Sequence, residues 1–384
     1  MSGAPLRFGA FIGPHHAMDE NPTLAIERDL KLVQWLDELD FNEVWIGEHH
    51  SGGFEITPSP EIFLAAAAER TKHIRLGTGV KSLPYYHPFI IADQLVFLDH
   101  LTRGRVMFGA GPGALPSDAY QMGVDVAHSR RRLMEGLDAI IPLMKGETVT
   151  MKTDWFTLEN AKLQMASYTS PMMELAVTSI RSPSGAEAAG KHGGGLLVLG
   201  GVSDEALANQ AANWQVCEET AAKHGQTVDR RNWRITHMMH LAETTEKARA
   251  DVEFGIHRWA QYSRDVLPNC PFPEGEKDII GWAIENKFVL IGTPDDAIAE
   301  IERAQEITGG FGVFLAFAHN FADWGPTQRS YEMFARYVMP HFKGTNVPRV
   351  DSYNAAKERH DGIRADFNKA VDVAKAAYQE TNKD

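Results

Sequence analysis

Acid–base residues gather at one place early in the chain. Glu48-His49-His50 stands at the end of a short β-rich run, and His15-His16 follows an earlier one. Histidine titrates near neutrality, so such a run suits proton transfer. Metal binding is the competing use, because His and Glu are common ligands. Adjacent residues on an extended chain point to opposite sides, however, and do not form a shared ligand face. No second carboxylate–histidine pair at helical metal spacing follows, and no metal site is expected.

A second constellation is Thr178-Ser179-Ile180-Arg181-Ser182-Pro183-Ser184-Gly185, leading into Ala186-Glu187-Ala188-Ala189. A strand delivers the chain into a small-residue loop that opens a helix. Free backbone N–H groups, hydroxyls and the helix dipole there favour an anion, and Arg181 adds a charge-assisted donor. The competing use is helix capping by Ser182 or Ser184. A third run, Gly109-Ala110-Gly111-Pro112-Gly113-Ala114, has the spacing of a dinucleotide fingerprint. That fingerprint needs a helix directly on the pyrophosphate. Here the next helix is expected only at about Arg130, and Pro112 removes a backbone donor. A strand-end loop that lets a flat ligand approach the backbone fits better.

The elements that must position these residues repeat: a β-rich run, a loop with Gly, Pro or Ser, then an amphipathic helix. Strands are predicted at Leu6–Ile12, Glu43–Gly47, Ile74–Val80, Arg105–Gly109, Met173–Thr178, Gly195–Leu199, Arg234–Leu241 and Gly312–Ala318. Asn21-Pro22 and Ser59-Pro60 read as helix starts, and Gly104 as a left-handed stop. The rhythm breaks at Gly146–Pro171, and again at Arg264–Lys287, where Pro268, Pro271 and Pro273 predict an irregular lid. Eight strands with interleaved helices predict a (β/α)8 TIM barrel with insertions after the fourth and seventh strands; an open doubly wound sheet is the alternative. One domain over 1–344 is expected, with a polar, helical tail over 345–384.

The bulk numbers agree with an enzyme of this build. The 384 residues are 43% hydrophobic and 23% charged, with a formal charge of −13. That sign argues against nucleic acid as a partner, and the one dense basic run, Arg130-Arg131-Arg132, lies beside Glu135 and Asp138 as a solvated helix face. The two cysteines, Cys217 and Cys270, make no metal or disulfide framework. The residues suggest neither an export signal nor an apolar run of membrane-spanning length, and a cytoplasmic home is expected.

Trp45-Ile46-Gly47-Glu48-His49-His50, the run IRLGTGVKSLPYYHP from Ile74 to Pro88, and RGRVMFGAGPG from Arg103 to Gly113 resemble the luciferase-like flavin monooxygenases in order and spacing. The likeness extends from about Arg7 to Gly344. Within the family, GEHHSGG, AERTKHIRLGTGV, GAGPGALPSDAY and SPSG are most similar to the limonene 1,2-monooxygenase branch. The resemblance implies reduced FMN across the barrel mouth, supplied by a separate flavin reductase, with FAD or a deazaflavin as alternatives. It implies molecular oxygen and a small apolar organic substrate, a monoterpene such as limonene among them, and a homo-oligomer, in the simplest case a dimer. Residue by residue, it matches His49 to the catalytic histidine beside the reacting oxygen and Glu48 to the acid near the flavin. It matches Gly79–Val80 to a cis peptide under the ring, Gly111 to a position facing the ring, and Arg181, Ser182, Ser184 and Gly185 to the segment reaching the phosphate. Pro112 stands where luciferase carries a phosphate-binding arginine. Phe11, Met239 and Phe317 are expected as pocket walls. A deazaflavin-dependent oxidoreductase on the same barrel and a non-catalytic flavin-binding protein are the alternative functions.

Overall fold

Eight parallel strands close into a ring in this computed structural model, which describes residues 5–13, 15–179, 182–268 and 270–381. They are β1 (Arg7–Ile12), β2 (Glu43–Ile46), β3 (Arg75–Thr78), β4 (Val106–Gly111), β5 (Leu175–Thr178), β6 (Gly195–Val198), β7 (Trp233–Leu241) and β8 (Val313–Ala318). Each pairs with the next, and β8 pairs with β1 from Arg7↔Val313 to Ile12↔Ala318, so the sheet has no free edge. Helices α1 (Pro22–Glu38), α2 (Pro60–Ala68), α3 (Pro88–Thr102), α4 (Ser129–Met144), α5 (Ser184–His192), α6 (Asp204–Lys223), α7 (Pro294–Thr308) and α8 (Trp324–Met333) accompany the strands. The structure is thus the expected (β/α)8 barrel.

Local chemistry explains the element ends. Asn21 Oδ1 accepts from the Thr23 and Leu24 amides, with Pro22 in the first turn of α1. Arg103 itself, with φ 53°, ends α3, and Gly104 at φ 84° turns the chain into β4. A reciprocal capping box between Thr293 and Asp296 opens α7.

The barrel interior is layered. At the floor, buried Arg234 donates through Nε to Glu43 Oε1 at 2.6 Å, pairs with Glu174, and lies 4.8 Å from the Trp45 ring. Burial pushes the Glu174 carboxyl up, but Arg234 and Arg75 outweigh it and hold the group at about 2. Above the floor lies an apolar layer that includes Phe11, Trp45, Met107, Leu197 and Leu315, and half-buried Val80, Leu199 and Phe317 pack against it. This order makes the C-terminal mouth the open end, where barrel enzymes place chemistry.

Two insertions depart from the rhythm. After β4 the chain forms the helix Pro116–Gln121, earlier than the expected start near Arg130. Further on, Val149–Lys152 and Thr157–Ala161 pair as an antiparallel hairpin. After β7, helices Thr245–Val252, Ile256–Asp265 and Ile279–Glu285 precede the short strand Leu290–Gly292, which pairs with the C-terminal end of β7 beyond the ring. The expectation of irregular chain over Arg264–Lys287 is therefore corrected in part. Asp278 caps Ile279–Glu285, and Ile279, Ile280 and Ala283 bury with Trp259, Phe272 and Val289. The prolines mark only the entry to that helix, whose single apolar stripe is short. Compact units cover residues 1–339 and 340–384, the second built on helices Val347–Glu358 and His360–Thr381. Among the described residues no helix is long and apolar enough to cross a membrane.

Candidate active site

His49 sits just past β2, held from both sides. Its Nδ1 lies 2.9 Å from Asp118 Oδ2, contributed by the helix Pro116–Gln121. The other Asp118 oxygen accepts from the His50 amide at 3.0 Å and from the Ser51 hydroxyl at 2.5 Å. Burial alone would raise the Asp118 carboxyl, but hydrogen bonds from His49, Ser51 and His50 hold it below its ordinary value. An ionised carboxylate only accepts, so His49 Nδ1 carries the proton. On the far side, Nε2 stands 3.5 Å from Glu55 Oε2, and Glu55 Oε1 accepts from the Tyr262 hydroxyl at 2.8 Å. Burial lowers the His49 imidazole, yet the charges of Glu55, Asp118 and Glu48, with the Asp118 bond, raise it overall. The ring is thus oriented by one carboxylate and biased toward its protonated form by a second.

Glu48 lies behind this pair. Its side chain is fully buried, with Oε1 3.1 Å from His50 Nε2 and Oε2 3.3 Å from Lys81 Nζ. Lys81 also reaches Glu61 of α2 at 3.0 Å and lies 3.5 Å from the centre of the Tyr86 ring. The Tyr86 hydroxyl stands 3.1 Å from His50 Nε2, and burial with the Glu48 charge pushes its pKa up. Both Glu48 oxygens are thus engaged by protein groups, and the residue ties the loop that carries His49 and His50 to Lys81.

At β3 the Gly79–Val80 peptide is cis. A side chain at Gly111 would begin 2.5 Å from Val80 Cγ2 and 2.9 Å from the Thr178 hydroxyl, so neighbouring side chains already fill that position. Gly185 is required by the close approach of α5 to the end of β5: a Cβ there would lie 1.9 Å from the Thr178 carbonyl. Ser182 and Ser184 do not cap α5; their hydroxyls bond each other at 2.9 Å, and the Pro183 N-cap supplies no side-chain acceptor. Among the described residues, then, no side chain caps the helix start, and two hydroxyls stand beside it, which fits a phosphate. Arg181 lies outside the described residues.

The three residues expected as pocket walls differ in where they sit. Phe317 and Phe11 pack at 4.7 Å between ring centres, but Phe11 is buried in the layer below, and Phe317 is the ring that reaches the mouth. Register puts Met238 opposite Phe317 and packs it against the inserted apolar cluster, whereas Met239 pairs with Leu290 of the added strand. Strand alternation makes the one-residue difference decisive. The insertion roofs the β2 loop through Tyr262 and Val266; Gly52, at φ 84°, admits Val266 Cγ1 to 2.9 Å from where its Cβ would be.

Asp118, Glu55, Lys81 and Tyr86 were not singled out from sequence. Asp118 lies within GAGPGALPSDAY, whose glycines drew the attention, and the contact with His49 spans 69 positions. The helix that follows the glycine-rich run turns this carboxylate toward His49.

A closed parallel barrel with an oriented histidine at its C-terminal mouth is the frame of a barrel enzyme. Residues 6–309 match the family model of the luciferase-like monooxygenases, and the chain belongs to that family. It is 45% identical to limonene 1,2-monooxygenase of Rhodococcus erythropolis over 98% of this chain and 95% of that protein. It is 42% identical to 4-hydroxyprotoasukamycin monooxygenase of Streptomyces nodosus subsp. asukaensis, over 94% of this chain and 98% of the relative. The oxygenating constituent of 3,6-diketocamphane monooxygenase from Pseudomonas putida, solved with FMN, shares the fold at a TM-score of 0.73, with 24% identity over 88% of this chain and 99% of that one.

Proposed function

We propose that the protein oxygenates a small, largely apolar organic molecule, using molecular oxygen and reduced FMN delivered by a separate flavin reductase. Bound FMN would supply the two electrons that reduce oxygen, one atom entering the substrate and the other leaving as water. The observation that carries this reading is His49, poised between Asp118 and Glu55 at the mouth of an apolar-lined barrel. Asp118 holds the Nδ1 proton, so Nε2 is the atom that gives or takes a proton. Ser182, Ser184 and the start of α5 would hold the phosphate, and Val80 would face the ring. Leu199, Phe317 and the roof led by Tyr262 exclude water from the chamber. A second copy fits the exposed apolar residues Ile62 of α2 and Ile90, Phe97 and Leu101 of α3. The expected setting is the cytoplasm.

The test is a single turnover with reduced FMN and 18O2 in the presence of limonene, with products read by mass spectrometry. One 18O atom per product supports the proposal. Flavin that binds and reoxidises with no label in any product sinks it, and oxygen-independent hydride transfer to a deazaflavin would replace it.

A further inference from the structure

Two strands round the ring from β2, at the end of β8, stands a histidine that the chemistry at His49 does not use. His319 follows β8, and its inward-facing series Val313, Leu315 and Phe317 climbs from the apolar layer to the mouth. Its ring stacks on Phe317 at 3.7 Å between centres, with Trp259 at 5.2 Å and Phe321 at 5.3 Å. The side chain is buried, and neither ring nitrogen has a hydrogen-bond partner among the described residues. Cε1, the atom between those nitrogens, lies 3.5 Å from where a side chain at Gly13 would begin, so the nitrogen-bearing edge faces the end of β1. His15 stands beyond Gly13, stacked on Phe54 at 4.8 Å, and its buried Nε2 also lacks a partner.

Buried polar atoms left without partners are costly, and native structures keep few of them. Here three lie together in an aromatic box. Burial, followed by the charges of His16 and Arg258, brings His15 down to about 3, and burial beside His15 lowers His319 well below its usual value. Both rings are therefore neutral, each with one N–H donor and one acceptor. In a ring of eight strands β8 stands opposite β4 and β1 opposite β5, so this box lies across the mouth from Gly111 and the Ser182–Gly185 loop.

We infer that His319, with His15 beside it, determines substrate specificity by hydrogen-bonding one uncharged oxygen, a ketone or hydroxyl, on an otherwise apolar molecule. The aromatic rings take the carbon skeleton, and the otherwise orphaned nitrogens select a skeleton that carries oxygen over the bare hydrocarbon. This deepens the proposed function and rests on the mouth being the substrate chamber.

Binding to the flavin-free protein tests it apart from turnover. Limonene and carvone share a skeleton and differ by one ketone; their affinities are read from tryptophan fluorescence, Trp259 being next to the box. Wild type is expected to prefer carvone by about tenfold, the worth of one good hydrogen bond. His319→Phe, which keeps the stack, should reduce that ratio to near one, and His319→Gln, which keeps a donor, should restore part of it. Near-UV circular dichroism confirms that the variants are folded. Equal affinities in wild type, a ratio unchanged in folded His319→Phe, or binding of neither ligand overturns the inference. Carvone preference without 18O incorporation in turnover would instead remove the oxygenation reading and leave this one standing.

Discussion

Replacing Asp118 by Asn changes one atom and should reverse the proton arrangement of His49. Asp118 Oδ1 accepts two donors, the His50 amide and the Ser51 hydroxyl. An amide at this position must keep its oxygen there, so its NH2 faces His49 Nδ1. That nitrogen must then accept, and the ring proton moves to Nε2, opposite Glu55. The two bonds at Oδ1 survive, so the fold should be little affected. The charge-assisted bond at Oδ2 is lost, at about 1.5–3 kcal/mol. At about 1.4 kcal/mol per decade, that is roughly ten- to a hundredfold in any step that needs proton exchange at Nε2. Where a carboxylate sets a catalytic histidine's tautomer, the same exchange has cost up to about 10⁴. The assay is product formed per reduced FMN consumed, alongside 15N NMR of the histidine tautomers. Asp118→Asn is expected to give the Nε2–H tautomer at His49, a melting temperature near wild type, and flavin oxidation largely uncoupled from product. Wild-type coupling with the tautomer reversed would refute the proton-transfer role of His49; an unreversed tautomer would refute the geometric reasoning.

Other consequences are open to direct measurement. Ser182→Ala with Ser184→Ala should weaken FMN binding by about tenfold or more while leaving riboflavin nearly unchanged, by titration of flavin fluorescence; equal losses would place the phosphate elsewhere. Glu174, held at about 2 against an ordinary 4.5, contributes stability present above pH 4.5 and lost as pH falls through about 2. Glu174→Gln should therefore cost roughly 2–4 kcal/mol at pH 7 in urea unfolding, a gap that closes progressively below pH 4.5. A gap independent of pH would mean that packing, not charge, sets the cost. If the roof through Tyr262 and Val266 excludes water as proposed, shortening the loop over 268–277 should raise hydrogen peroxide released per flavin oxidised. Unchanged release, with slow hydrogen exchange across the segment in the free protein, would argue that it does not act as a lid.

What the sequence determined by itself is local and periodic. Alternating strand and helix patterns, the Asn21-Pro22 start of α1 and the stop at Arg103-Gly104 are written in residues a few positions apart, so all eight barrel strands could be placed to within a few residues. The motifs around Glu48, Gly111 and Ser182 were legible too, because each is a contiguous run. What those residues touch was decided by closure of the barrel. Asp118 meets His49 across 69 positions and Arg234 meets Glu43 across 191, distances at which no periodicity survives. Whether Met238 or Met239 stands beside Phe317 turns on one step of strand alternation, and only pairing with neighbouring strands settles it. The same closure strands the nitrogens of His319 in an aromatic box, since a lone histidine after a strand looks the same in sequence whether its partner is a neighbour, water or a substrate.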